Sequence, residues 1–261
     1  MDNQKVIYYK DELNDEFSEA KIEPRTIDET YKYIHKNPLW NICEFLVQNV
    51  LSVPIKYLYA KIKFKHKVVG KHKLRKYKKT GYFIYGNHTQ AFADTFLISN
   101  CVFPKRNYII VNPENVSMKG IGNFVQMFGA IPIPNKRSGM KNFLDAIKQK
   151  IKKGYSVTIF PEAHIWPYYT KIRPFKSVSF RYPVQMKVPT FCATNTYVSC
   201  GKKKDKIQIV TYIDGPFFVD EKLNEKEQKE DLRNKVYREM CKRSENSNVE
   251  HIKYIREEIN E

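Results

Sequence analysis

From Tyr82 onward, short apolar runs alternate with stretches whose apolar residues recur at helical spacing. The runs predict strands at YFIY (82–85), YIIV (108–111), AIPI (130–133), SVTIF (156–160), TFCAT (190–194) and KIQIVTYI (206–213). Between them the spacing predicts helices over 91–101, 118–128, 139–153, 175–186 and 220–243. The clearest is 139–153, where Phe143, Leu144, Ile147 and Ile151 share one face and Gly154 stops the helix. Strands alternating with helices imply an α/β fold with a mixed sheet covered by helices on both faces.

The first 36 residues are acidic and aperiodic until a helical-looking run at Thr30 to His35, and they read as an arm or cap. Leu39 to Tyr59 is the most apolar stretch, but Asn41, Glu44, Gln48, Ser52 and Lys56 draw one polar stripe along it, and Pro54 should kink it. A spanning helix needs about 20 predominantly apolar residues, which this segment does not supply. Its periodicity fits a helix lying in a membrane interface, apolar face down, and equally a helix packed on the protein's own core. Lys61 to Lys79, KIKFKHKVVGKHKLRKYKK, follows at once; it reads as a basic hairpin around Gly70 or a lipid-binding cluster. The expected organisation is an acidic arm and amphipathic membrane-docking helix (1–60), an α/β domain (61–219) and a charged C-terminal helical region (220–261).

Charge sharpens that picture. The net charge is +18, yet residues 31–219 alone hold 32 bases against seven acids, while both ends are acidic. Such a field recruits nucleic acid, anionic membrane or phosphorylated substrates. Aromatics interleaved among the bases suit nucleic-acid stacking and keep a basic nucleic-acid-binding protein as an alternative, but no nucleic-acid-binding motif accompanies them, and no nucleic-acid partner is expected. Five scattered cysteines without a Cys-x-x-Cys pair argue against a disulfide framework or structural zinc. No signal-peptide pattern opens the chain, which points to the cytoplasm.

Candidate chemistry sits at two strand ends, where α/β folds gather their sites. In GNHTQAFAD, His88 follows a strand and Asp94 falls in the first or second turn of the next helix. A carboxylate there can hydrogen-bond one imidazole nitrogen and leave the other to take a proton from an attacking hydroxyl. In IFPEAH, Pro161 and Glu162 end a second buried strand.

Together these blocks resemble the glycerolipid acyltransferase family, in order from about Lys67 to Thr194. KVVGKHKL resembles its opening strand pair and YFIYGNHTQAFAD its first motif. MKGIGNFVQMFGAIPIPNKR, GYSVTIFPEAHIWPYYTKIRPFKSVSF and KVPTFCAT resemble the second, third and fourth. The resemblance implies that His88 is a general base oriented by Asp94, acting on a lysolipid hydroxyl that attacks an acyl thioester. The donor is acyl-CoA or acyl-carrier protein, and no cofactor or metal is required. It further implies an acceptor site drawn from Asn87, Lys136, Arg137, Pro161, Glu162, His164, Lys171 and Arg173. Three departures stand out. Five residues separate His88 from Asp94 where the family has four; Asn135 stands where its second block has arginine; Ala163-His164-Ile165 replaces Gly-Thr-Arg in the third. The acceptor is therefore 1-acylglycerol-3-phosphate or a related lysophospholipid, or else another lipid hydroxyl such as that of a glycolipid or amino-lipid. His164 is either a second titrating group or a polar filler. The partners expected are anionic membrane lipids, the lysolipid and the thioester, with the protein attached peripherally to the inner face of the membrane.

Overall fold

The computed structural model describes residues 4–17, 22–201 and 206–257. Its centre is a seven-stranded mixed sheet. Along it lie β2 (Lys67–Val69), β8 (Lys206–Phe217), β7 (Thr190–Cys200), β3 (Tyr82–Gly86), β6 (Ser156–Ile159), β4 (Asn107–Val111) and β5 (Ala130–Pro132). Strands β7, β3, β6, β4 and β5 run parallel, so their carboxyl ends share one edge; β8 runs against β7 and carries β2 parallel to itself.

Central β3 is apolar throughout because both its faces are covered. Phe83 and Tyr85 join a core with Phe143 and Ile147 of α5 (Met140–Lys152) and Leu232 and Val236 of α7 (Glu225–Ser244). Tyr82 and Ile84 point the other way, onto Ile98 and Val102 of α3 (Ala91–Val102).

Several elements are shorter than their periodicity suggests. Only Gly122–Met127 (α4) is α-helical within 118–128, because Gly120 sits at φ +79° and breaks the first turn. Only Arg181–Met186 (α6) is α-helical within 175–186, preceded by a 3-10 turn. Helix α7 starts at Glu225 rather than 220, where Asn224 and Glu227 form a reciprocal capping box. Thr30 to His35 is not helical: Asp28 takes both the N–H and the hydroxyl of Thr30, fixing a turn, while Ile27 and Tyr33 are buried in the main core. The arm's β1 (Lys5–Tyr9) pairs in parallel with β9 (Ile252–Arg256), joining the two ends of the chain. Lys61 to Lys79 forms no hairpin; it is the end of a helix, strand β2, and a 3-10 segment, Lys71–Tyr77.

The apolar segment is helical from α1 (Pro38–Leu46) through a π-helical stretch (Val47–Leu51) into α2 (Ser52–Phe64). Pro54 has no N–H to offer, and the wider turn just before it takes up the misfit. Beyond Asn41, which is exposed, the polar stripe faces the protein: Glu44, Gln48, Ser52 and Lys56 are buried, followed by Ala60 and Phe64. Glu44 accepts the Tyr108 hydroxyl at 2.8 Å, and burial pushes Lys56 down to about 8. The apolar face points outward instead, with Leu51 60%, Ile55 61% and Ile62 76% exposed. Among the described residues, no helix is long and apolar enough to cross a membrane.

Candidate active site

His88 stands at the carboxyl end of β3, and Asp94 lies in the first turn of α3. The intervening residues form a turn wide enough to bring Asp94 Oδ2 within 2.9 Å of His88 Nδ1. That same oxygen accepts the backbone N–H groups of Thr89 at 2.7 Å and Gln90 at 2.8 Å. The turn thus absorbs the fifth residue by folding its own amides onto the carboxylate. Burial pushes the Asp94 carboxyl up, while the hydrogen bonds from His88, Gln90 and Thr89 pull it back. Since every partner of Asp94 donates, the proton of the imidazole belongs on Nδ1. Nε2 keeps its lone pair, and no described residue bonds to it. The ring stacks on Phe160, centroids 4.4 Å apart, and its side chain is 15% exposed.

Three residues behind the pair had no signal in the sequence. Asn195 Nδ2, from β7, donates to the other Asp94 oxygen at 3.0 Å. Its Oδ1 accepts the Thr211 hydroxyl of β8 at 2.6 Å, and Thr211 Oγ1 lies 2.7 Å from His66 Nε2. Thr211 gives its one proton to Asn195, so His66 Nε2 must be the donor. Burial, helped by Lys61 and Lys71, pushes His66 down to about 4.

The other predicted site residues divide into structural and open groups. Asn87 is buried and exchanges hydrogen bonds with the backbone of Asn195, joining β3's end to β7. Glu162 is buried at the end of β6: its Oε2 accepts the His88 N–H at 3.0 Å and its Oε1 the Arg173 N–H at 3.1 Å. Arg173 is fully buried, 3.5 Å from Glu162 Oε2, bonded to the carbonyls of Glu12 and His164, and placed over the Trp166 ring. It is therefore spent inside the protein, which corrects the expectation that it reads an acceptor. Burial pushes Glu162 up, and Arg173 opposes that shift. His164 is half-buried and pairs through Nδ1 with Glu16 of the arm at 3.1 Å. Pro161 is partly buried beside Phe160, at the foot of the His88 loop.

Lys136, Arg137 and Lys171 are exposed. The first two follow β5, three strands from β3 on the same sheet edge, a lateral separation of about 14 Å. Asn135, where the family has arginine, is occupied: its side chain accepts from Ile27 N–H and donates to the Arg25 carbonyl, fastening the arm.

What the arrangement can do is specific. A partly exposed imidazole with one nitrogen fixed on a carboxylate and the other unpaired can withdraw a proton from a bound hydroxyl. A family model described as Acyltransferase matches residues 65–194. Among solved structures the chain is similar to the 1-acyl-sn-glycerophosphate (LPA) acyltransferase PlsC from Thermotoga maritima. Identity is 14% and the TM-score 0.52, over 83% of this chain and 87% of that one, a likeness of fold. A search of curated proteins finds no match.

Proposed function

The chain belongs to the glycerolipid acyltransferase family, and from that premise we propose that it moves a fatty acyl group from a thioester to a lysophospholipid hydroxyl. The observation that carries this reading is the 2.9 Å contact between His88 Nδ1 and Asp94, which leaves Nε2 without a hydrogen-bond partner among the described residues. His88 Nε2 takes the hydroxyl proton as the oxygen attacks the thioester carbonyl. The carbon–sulfur bond then breaks, and the departing thiolate receives the proton from the imidazolium. Asp94 holds the tautomer and offsets the positive charge that forms on the ring. Acyl-CoA and acyl-carrier protein both present the thioester this chemistry needs.

Lys136, Arg137 and Lys171 are the cations left open for an anionic acceptor head, since Arg173 is buried and Asn135 is tied to the arm. That reduced set also favours a second reading, an acceptor without a terminal phosphate, such as a glycolipid or amino-lipid hydroxyl. The outward apolar face of the helix spanning 38–64 and the bases that follow suit peripheral attachment to the inner face of an anionic membrane. Docking there would bring the protein to substrates whose acyl chains partition into the bilayer.

Thiol release from an acyl thioester, measured against a panel of lysolipid acceptors, tests the reading. Turnover with 1-acylglycerol-3-phosphate, and a higher acceptor KM in Lys136→Ala and Arg137→Ala, are the expected results. Turnover confined to glycolipid or amino-lipid acceptors would support the second reading; no thiol release with any acceptor would refute both.

A further inference from the structure

A cavity of about 310 Å³ opens at the edge of the sheet opposite His88, between α1 and the last turn of α5. Tyr108 and Ala130 reach it from the amino-terminal parts of β4 and β5, and Trp40 and Glu44 from α1. The length of β6 alone keeps it about 13 Å from the carboxyl edge. Neither the His88–Asp94 pair nor the open cations beside it take part.

Charge decides what this cavity suits. Arg106, Lys150 and Lys153 line it, and Glu44 is the one acid in its lining among the described residues. Glu44 is already engaged, accepting the Tyr108 hydroxyl at 2.8 Å and facing Lys150 Nζ at 3.4 Å. Among the described residues, the charges of Arg106 and Lys153 are left without an acid in the wall. Arg106 is also held in place. Its guanidinium lies 5.1 Å from the Phe45 ring and 5.5 Å from the Tyr155 ring, and its Nε donates to Asn49 Oδ1. The fork beyond Nε is thereby presented without further ordering. His35, stacked on Trp40 at 3.8 Å, has a buried Nε2 with no hydrogen-bond partner among the described residues. A fixed guanidinium, an exposed ammonium and an imidazole whose Nε2 is unpaired among the described residues, set around an aromatic-walled space, fit a phosphate group on a small organic body.

We propose that this cavity is a second, non-catalytic site for a phosphate-bearing ligand, either the headgroup of an anionic phospholipid or a soluble phosphate ester. The exposed apolar residues of α1, Leu39 and Ile42, lie on the helix that forms one wall, so a headgroup could be gripped while its lipid stays in the bilayer. The inference stands apart from the acyl-transfer reading, because it uses none of those residues.

Trp40 is a built-in reporter: the chain has two tryptophans, and the other, Trp166, is buried in the loop beside His88. The full chain is titrated with inorganic phosphate, with glycerol 3-phosphate, and with neutral vesicles doped or not with phosphatidylglycerol. A saturable fluorescence change is expected, absent in Trp40→Phe and weakened about tenfold or more in Lys153→Gln, the loss of one charged hydrogen bond. Lys153 is exposed, so this variant leaves the core intact; Arg106→Gln should weaken binding similarly. Lys136→Gln should leave it unchanged, separating this site from the cations near His88. Saturation by the soluble probes assigns a small phosphate ester, and saturation only by doped vesicles assigns a lipid headgroup. No saturable signal with any probe, or one that Lys153→Gln does not move, overturns the proposal.

Discussion

Oε2 of Glu162 accepts the backbone N–H of His88 at 3.0 Å, so a carboxylate at the end of β6 fixes the backbone that carries the imidazole at the end of β3. The same carboxylate faces Arg173, and neither side chain reaches solvent. Removing one partner of a buried pair strands the other charge. Glu162→Gln should therefore lower the unfolding free energy by about 3 kcal/mol or more, read by urea denaturation at neutral pH. A variant as stable as the wild type would show that the pair is not holding the loop.

Among the described residues, Asn195 supplies the only side-chain amide on Asp94. Asn195→Ala should lower kcat about tenfold, the rate equivalent of one hydrogen bond to a charged group, with KM little changed. Steady-state kinetics on the folded variant decide it. A raised KM at constant kcat would move Asn195 out of the dyad's support and into substrate binding.

The contact between His88 and Asp94 was legible because its parts are local. His88 and Asp94 fall at a strand end and in the next helical turn, and hydrophobic runs located the strands around them. Asn195 was not legible, since it reaches Asp94 from 101 residues further along the chain. Arg173 looked like an open cation because sequence does not reveal burial; the ion pair with Glu162 is a product of tertiary packing. The polar stripe on residues 41–56 was visible, but its direction was not. Only the presence of Tyr108, Lys150 and Asn100 as partners beneath it sets the stripe inward and the apolar face outward. Strands β1 and β9 escaped notice because each is short, half-exposed and stabilised by an element from the other end of the chain.

His66 gives a pH signature. Its folded value, about 4, lies below the ordinary 6.5 because burial disfavours the charged ring. The unfolded chain thus binds a proton that the folded chain resists, and stability is lost as pH falls from about 6.5 towards 4. After allowance for partial exposure the contribution is on the order of 2 kcal/mol. Comparing wild type with His66→Gln in urea at pH 7.5 and pH 5 should show a shallower acid loss in the variant. Parallel losses would contradict the shift.

The outward face of the helix at residues 38–64 can be tested without touching the core. Leu51, Ile55 and Ile62 are exposed, so replacing all three with Gln should leave thermal stability nearly unchanged. Each forfeits up to about 2 kcal/mol of apolar burial in a bilayer, and sedimentation with anionic vesicles should be lost. Binding should also fall as salt rises past the point where the Debye length is about 8 Å. A triple variant that still sediments, or strong wild-type binding to neutral vesicles at high salt, would contradict interfacial docking through this face.

The most direct measurement is thiol release by His88→Ala in the presence of acyl thioester and lysolipid acceptor, with Asp94→Asn alongside. His88 sits at a partly exposed rim, so its truncation should leave the fold intact, as circular dichroism would verify. Turnover in His88→Ala is predicted to fall below roughly a few per cent of wild type. Asp94→Asn should be severely slowed but measurable, because the imidazole survives with a poorer hold on its tautomer. If folded His88→Ala retains more than that residual rate, His88 is not the base, and the mechanism built on its contact with Asp94 is wrong.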